Sequence, residues 1–426
     1  MTIDAFAIHP GDPEYDAART TIAGTASPVV VLRPRDSAEV ALSIRHAIEG
    51  QLPLAVRSGG HNALNFGNVD EGVVVDLSGL HGVELLGGGR VRVGAGATWG
   101  HVARSLQPHG LGISSGDTVS VGVGGLTQAG GIGWLVRKHG LTIDSLLAAE
   151  VVTAAGEVVR ASHDEHPDLF WALRGGAGNF GVVTAFEFQA QPVGSIRFGT
   201  ISYQLEDLPQ LLKGWAEAMQ TAPDELTTTL VLMPGFGDFP AGATLYVADS
   251  GDDASVLEPL RAIGTVLSEN IAEKSYAEVL EDAYPPQGVL PVIGNTLVES
   301  VDDGLVAAVA EAYGQGGRVV FLRSLGGAFG RVAPEATAFA HRSAEALVVS
   351  AAFLPLDATA EQVEAARAVW RTIGDQGIGV YAGFLGSDTE EDVAALWPAE
   401  PRRRLVEAKR AWDPDNTFRR NFNVVP

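Results

Sequence analysis

The sequence predicts an α+β protein of two or three domains, and three observations carry that expectation. Short apolar strand patterns and helix patterns interleave along the whole chain. Glycine clusters in the first half and thins beyond Pro192, which places a boundary near residues 193 to 197. The 426 residues are 46% apolar and 19% charged, a composition that can bury a core and excludes a disordered or fibrous chain.

The run Val29-Val30-Val31-Leu32 after Pro28 reads as a buried strand, and Asp36 with Glu39 as a capping-box-like start to a helix ending at Gly50. A second strand, Leu54-Ala55-Val56, runs into Arg57-Ser58-Gly59-Gly60-His61-Asn62. Then come the strand Val73 to Leu77, the alternating Arg90-Val91-Arg92-Val93 and a helix from about Thr98 to Leu106. Glu150 to Thr153 and Gly156 to Val159 predict a hairpin turning at Ala154-Ala155-Gly156. Asp168 to Leu173 predicts a helix, followed by Arg174 to Gly181 and a strand from Val182 to Phe188. Past the boundary, strands are expected near Phe198–Tyr203, Thr227–Leu232, Thr244–Val247, Val319–Leu322 and Ala346–Ala352. Helices are expected near Leu208–Met219, Ser255–Leu267, Leu305–Ala312 and Ala360–Thr372.

Charge and composition exclude several functions. No cysteine is present, so disulfides, thiolate metal sites and cysteinyl cofactor links are impossible. A net charge of −23 opposes nucleic-acid binding, which rests on Lys and Arg neutralising phosphates. The N-terminus lacks a basic segment followed by an apolar one, and no run is long enough to span a membrane, so a soluble, cytoplasmic protein is expected. Neither GxSxG nor GxxxxGK[ST] occurs, which argues against common hydrolases and P-loop enzymes. His163 and His166 have metal-like spacing, but they lie in a loop beside Pro167 with no HExxH pattern, and no metal site is expected.

Three glycine clusters remain, at 59 to 60, 122 to 133 and 175 to 181. Gly176 to Gly181 has the GxGxxG spacing of a nicotinamide-binding fingerprint, yet a helix precedes it and a strand follows, the reverse of the order that motif needs. Any one cluster suits a tight turn as well as an anion-binding backbone nest. Three in one half favour the nest, because backbone dipoles can hold a diphosphate locally even in an acidic chain. His61 ends a strand inside a Gly-Gly turn; it reads either as a hydrogen-bonded turn residue or as a base, metal ligand or nucleophile.

Taken together, Arg57-Ser58-Gly59-Gly60-His61, Thr118 to Gly125, Asp168 to Gly181 and Trp412-Asp413-Pro414-Asp415-Asn416-Thr417-Phe418 resemble, in this order and at these separations, the FAD-linked oxidases of the vanillyl-alcohol oxidase superfamily, specifically the berberine-bridge-enzyme-like group. The resemblance spans almost the whole chain. It implies a PCMH-type FAD-binding domain over 1–195, with subdomains of about 1–82 and 83–195. It also implies an α/β substrate domain with an antiparallel sheet over 196–387, and a C-terminal segment, 388–426, that returns to the FAD domain.

By the same resemblance His61 matches the histidine bonded to the 8α carbon of the isoalloxazine. Thr118 stands where bicovalent members have cysteine, so only the histidyl link can form and small substrates are expected rather than oligosaccharides. Arg57, Ser58, Gly59, Gly60 and Asn62, then Asp117, Thr118, Ser120, Val121, Gly124 and Gly125, and then Gly178, Asn179, Gly181 and Val183, are implied to wrap the FAD. Gly130, Gly131 and Trp134 would lie near the flavin, with Val121 near the path of oxygen, and Asn421 and Asn423 would hydrogen-bond the flavin region. Val380 to Phe384 resembles the family's Tyr-x-Asn strand, with Gly383 in place of the asparagine. Tyr381 is therefore the candidate for proton abstraction or substrate orientation. An unperturbed tyrosine, with a pKa near 10, would need a positive neighbour to act as a base. His341-Arg342 resembles a family pair beside the active-site sheet and reads as a surface or interdomain ion pair.

The implied activity is oxidation of a small alcohol or amine by FAD, with O2 as acceptor and hydrogen peroxide as product. A dehydrogenase using another acceptor, and a cyclase or binding protein with structural FAD, are the alternatives.

Overall fold

The computed structural model describes residues 2–235, 241–282 and 288–426. Three sheets organise them. Val30–Leu32, Val73–Asp76 and Leu54–Arg57 form a parallel sheet with Ala7–Ile8 added antiparallel at one edge. Their near-continuous apolar runs reflect burial on both faces. The helix Ser37–Glu49 makes the crossover. Asp36 Oδ1 accepts the Glu39 N–H at 2.8 Å, but the Glu39 carboxylate takes the N–H of Arg35 rather than of Asp36.

The second sheet is antiparallel and five-stranded, in the order Val158–Ser162, Leu146–Val152, Val182–Gln189, Arg90–Gly94, Val83–Gly87. It contains the expected hairpin around Ala154 to Gly156.

The third is an antiparallel sheet of seven strands, in the order Val266–Lys274, Ile196–Tyr203, Gly242–Asp249, Leu226–Met233, Arg318–Ser324, Ala346–Pro355, Val289–Val298. Helices Leu208–Gln220, Asp303–Gly314 and Ala360–Gly374 cover one face and complete an apolar core with it. The other face meets the glycine-rich half: Trp134 packs edge-on to Phe198, ring centres 5.2 Å apart. Arg342, fully buried, forks onto both carboxylate oxygens of Asp144 at 2.7 and 2.8 Å. The pair at 341–342 thus includes an ion pair between the two halves, not a surface one. His341 donates from Nε2 to the carbonyls of Ala395 and Leu396, and burial holds its pKa down.

Two expectations need correction, and one helix has no reading in the sequence. The helix expected over 255–267 is one 3-10 turn, Ala254–Leu257, and one helical turn, Glu258–Arg261; Val266 and Leu267 instead open an edge strand whose mostly exposed residues show no alternation to read. The segment 380–384 is not a strand, because pairing with the edge strand stops at the Leu297–Gly379 bridge and Ala382–Phe384 forms a 3-10 turn. The helix Ala399–Trp412 was not read at all; three consecutive arginines mask its short buried stripe of Leu405 and Ala408.

That last helix returns the chain to the first half. Its Lys409 ammonium is fully buried and donates to the carbonyls of Asn179 and Phe418 and to the Asp413 carboxylate, at 2.8, 2.9 and 2.7 Å. Three acceptors satisfy all three of its protons. Trp397 donates to the Gly175 carbonyl at 3.0 Å, and Phe418 and Phe422 join the core of the first half.

Candidate active site

A cavity of about 1190 Å³ lies between the parallel sheet's loops, the C-terminal tail and the edge strand Val289–Val298. That exceeds the ~300–1,000 Å³ usual for one small ligand, so a large cofactor and a substrate can share it.

The strand Leu54–Arg57 delivers the turn 58 to 62 to the cavity wall. Arg57 is buried and anchors the strand's end, donating to the Ala18 carbonyl at 2.5 Å and to Asp76 at 3.1 Å. Ser58 Oγ donates to the Ala95 carbonyl and accepts the Gly124 N–H, tying the first glycine cluster to the second. The two clusters touch backbone to backbone: a Cβ on Gly59 would lie 2.3 Å from Gly122 N, so only glycine fits. Gly60 has φ +71°, and among the described residues the N–H groups of Gly59, Gly60, His61 and Asn62 reach no protein acceptor. These residues are half-buried, so water or a ligand satisfies those donors. Four in succession, bordering a cavity, form a nest for an anionic group.

Of the residues implicated by sequence, Arg57 to Asn62, Asp117, Thr118, Val121, Gly124, Gly125, Gly178, Gly181, Val183, Asn421 and Tyr381 line this cavity. Ser120, Gly131, Asn179 and Asn423 do not. Ser120 lies behind the wall, its carbonyl against Gly59. Gly131 packs onto Thr142, whose Oγ1 would lie 2.0 Å from a Cβ there. Asn179 is wholly buried and spends its amide on the chain itself, donating to Gly176 and Phe422 carbonyls and accepting the Val424 N–H. It clamps the tail rather than facing the cavity.

Sequence reasoning missed Gln128, Arg420, Phe66, Phe422 and Asn295, all on the cavity wall. Gln128 carried a usable signal, a lone amide in an otherwise small and apolar helix. Its Oε1 is buried without a partner, as is Oδ1 of Asn421. Open space beyond Gly125 and Gly178, the backbone nest and these orphaned acceptors suit a diphosphate joined to rings that carry N–H and O–H donors, which describes FAD.

His61 is half-buried, and desolvation lowers its pKa against a smaller opposing pull from Asp282. Its imidazole is therefore neutral at pH 7, the form that can act as a nucleophile. Across the cavity, burial pushes the Tyr381 phenol up to about 12, although the N–H groups of Ile132 and Gly131 face its oxygen and favour ionisation. Arg323 is the positive neighbour a tyrosinate would need. Its charge is taken by Asp117, with which it forms an ion pair while stacking 4.2 Å from the Trp134 ring centre.

Residues 28–162 match the FAD binding domain family. Over 451 aligned positions the chain is 30% identical to (R)-6-hydroxynicotine oxidase of Paenarthrobacter nicotinovorans, covering 100% of this chain and 98% of the relative. The chain belongs to the berberine-bridge-enzyme-like FAD-linked oxidases. The crystal structure of 6-hydroxy-D-nicotine oxidase from Arthrobacter nicotinovorans superposes on this oxidase with a TM-score of 0.89 at 28% identity, over 99% of this chain and 97% of that one. The fold is also that of glucooligosaccharide oxidase from Acremonium strictum, with TM-score 0.85, 21% identity and 100% and 98% coverage; its FAD carries 6-S-cysteinyl and 8α-N1-histidyl links. The oxidase described here is thus an FAD-dependent oxidoreductase of the class acting on CH–OH or CH–NH donors. It contains no cysteine for a second link. No helix among its described residues is long and apolar enough to cross a membrane.

Proposed function

We propose that this oxidase holds FAD through a single bond to His61 and oxidises a small, largely apolar secondary or tertiary amine. When bound, FAD supplies the hydride acceptor and the route of electrons to O2, which leaves as hydrogen peroxide. The chain binds and orients. The nest at Gly59 to Asn62 would take the diphosphate, Gln128 and Asn421 would accept from ring or sugar donors, and the neutral His61 nitrogen would hold the flavin at its 8α carbon.

The observation that carries the amine reading is that, among the described residues, no free base stands beside Tyr381: Asp117 is already paired to Arg323, and burial pushes the phenol up to about 12. An alcohol must lose its O–H proton as hydride leaves, whereas a neutral amine drives hydride loss with its own lone pair and needs no base. Tyr381 then acts as wall and orienting group. On the face turned toward the flavin-binding half the edge strand offers Ile293 beside Phe384, and the Asn295 amide is spent on the Tyr381 backbone, so apolar surface adjoins Tyr381; the cavity's charged lining, Glu364, Arg367, Arg371, Glu391 and Asp392, belongs to the helices Ala360–Gly374 and Glu390–Leu396. A second reading, an alcohol with Asp117 as base, rests on Asp117 lining the same cavity.

Intact mass under denaturing conditions tests the link: wild type retains the mass of FAD and His61→Ala loses it while still binding FAD reversibly. Anaerobic bleaching by cyclic amines, with O2 consumed and peroxide formed in air, tests the substrate class. On amines the rate should rise with pH along the substrate's own amine pKa. Bleaching by alcohols, with a rate that follows an enzyme group and collapses in Asp117→Asn, would favour the second reading.

A further inference from the structure

The edge strand Val289–Val298 alternates its side chains. Val298, Thr296 and Gly294 face the covering helices, while Leu297, Asn295 and Ile293 face the flavin-binding half. Outside its last strand, the sheet is continued by the segment from Ile378, but only in part. Main-chain pairing holds at Leu297, which accepts the Ile378 N–H and donates to the Gly379 carbonyl, both at 2.8 Å. Two residues on, the ladder is carried by a side chain. The Asn295 carboxamide accepts the Tyr381 N–H at 2.7 Å and donates to the Tyr381 carbonyl at 3.0 Å, so one buried amide replaces a strand's worth of backbone pairing for that residue. Both polar atoms of Asn295, which is 1% exposed, are spent on Tyr381.

The ring of Tyr381 then has one place to lie. It folds over Gly383, where a Cβ would meet ring Cε1 at 2.4 Å, and it is bounded by Phe339 and Phe384 with ring centres 6.4 and 5.9 Å away. A side chain at 383 and this ring position exclude each other.

We propose that Asn295 is a positioning residue: its carboxamide fixes the Tyr381 peptide, and with glycine at 383 this sets where the phenol stands in the cavity. The inference rests on Tyr381 being the substrate-facing residue of the proposed function. Asn295 itself needs to touch neither substrate nor cofactor.

A pH-switchable variant tests this without any substrate. In Asn295→Asp the protonated carboxyl reproduces both hydrogen bonds, accepting from Tyr381 N–H and donating to its carbonyl. The ionised form can only accept, and sets a negative charge against that carbonyl. Burial raises the carboxyl's pKa above its ordinary value, into a range where the folded protein can be observed. The chain has seven tyrosines, so holoprotein labelled with 3-fluorotyrosine gives a short 19F spectrum, in which the Tyr381 line is the one absent from Tyr381→Phe.

The expected result is a Tyr381 line at the wild-type position in Asn295→Asp at low pH, shifting or broadening through a one-proton transition as pH rises. Wild type shows no such transition, and Asn295→Leu is displaced at every pH. A Tyr381 line in Asn295→Asp that stays at the wild-type position throughout overturns the proposal. So does one displaced equally at all pH, because a carboxyl that restores both hydrogen bonds without restoring the ring leaves those bonds no part in placing it. If Asn295→Leu does not fold, Asn295→Asp at two pH values decides alone. Flavin mass and amine turnover are read separately, so failure of the covalent link or of the substrate class leaves this readout intact.

Discussion

Where the cofactor wall brings backbone against backbone, at Gly59 and Gly122, the substrate wall is made of side chains carried by one edge strand and one 3-10 turn. The first kind of wall offers N–H groups that every residue but proline possesses, and at Gly59 it tolerates no added atom. The second recognises through identity, and its parts can be exchanged if their volumes are balanced. The difference teaches that retention of the cofactor and choice of substrate are under separate control in this chain. Among the described residues two ion pairs join them, Asp117 with Arg323 and Asp144 with Arg342.

The sharpest way to break the comparison is Gly59→Ala. The new Cβ would press on Gly122 N and the Ser120 carbonyl, neither of which can rotate away. A loss of about 3 kcal/mol in denaturant unfolding is expected, with no bound FAD in the visible spectrum. A yellow, stable Gly59→Ala protein would mean that the two loops do not need to touch. Gly383→Ala should do less and do it elsewhere. Here the obstacle is the Tyr381 ring, which can move, so covalent FAD and stability should be kept while anaerobic reduction by an amine slows about tenfold. Equal damage to flavin content would erase the distinction between the walls.

The smallest effect belongs to the seam between them. His139 is held to a pKa of about 4 by desolvation first and then by Lys138, against a pull from Glu225, and its Nε2 is buried without a partner. The unfolded chain binds that proton near pH 6.5 and the folded protein does not. Stability is therefore full above that value and declines as pH falls toward about 4. Replacing His139 by Gln should flatten the decline in urea midpoints over that window. An unchanged slope would assign the acid sensitivity to other groups.

Legibility in the sequence followed the same division. The cofactor wall could be read because its motifs are contiguous: Arg57 to Asn62 is one turn after one strand, and the short apolar runs before it announce a buried parallel sheet. Asn179 was assigned to the cofactor because it sits inside a glycine motif, but its amide is spent on Phe422 and Val424, more than two hundred residues away, a pairing that no local pattern encodes. The substrate wall was obscure for a related reason. Asn295 matters only through Tyr381, a contact across 86 positions, and the strand that carries it begins beside residues that lie outside those described. The edge strand Val266–Lys274 is solvated along most of its length, so it has no alternation to betray it.

The buried Lys409 bears on how this protein is made. A ribosome delivers the loops at 58 to 62 and 175 to 181 long before it delivers Lys409, Phe418 and Asn421, yet Phe418 and Asn421 line the same cavity and Lys409 ties the tail to Asn179. A nascent chain therefore has the floor of the flavin site without its far wall. On this geometry a chain stopped before Lys409 is expected to hold the vitamin-derived cofactor far more weakly than the chain to residue 426.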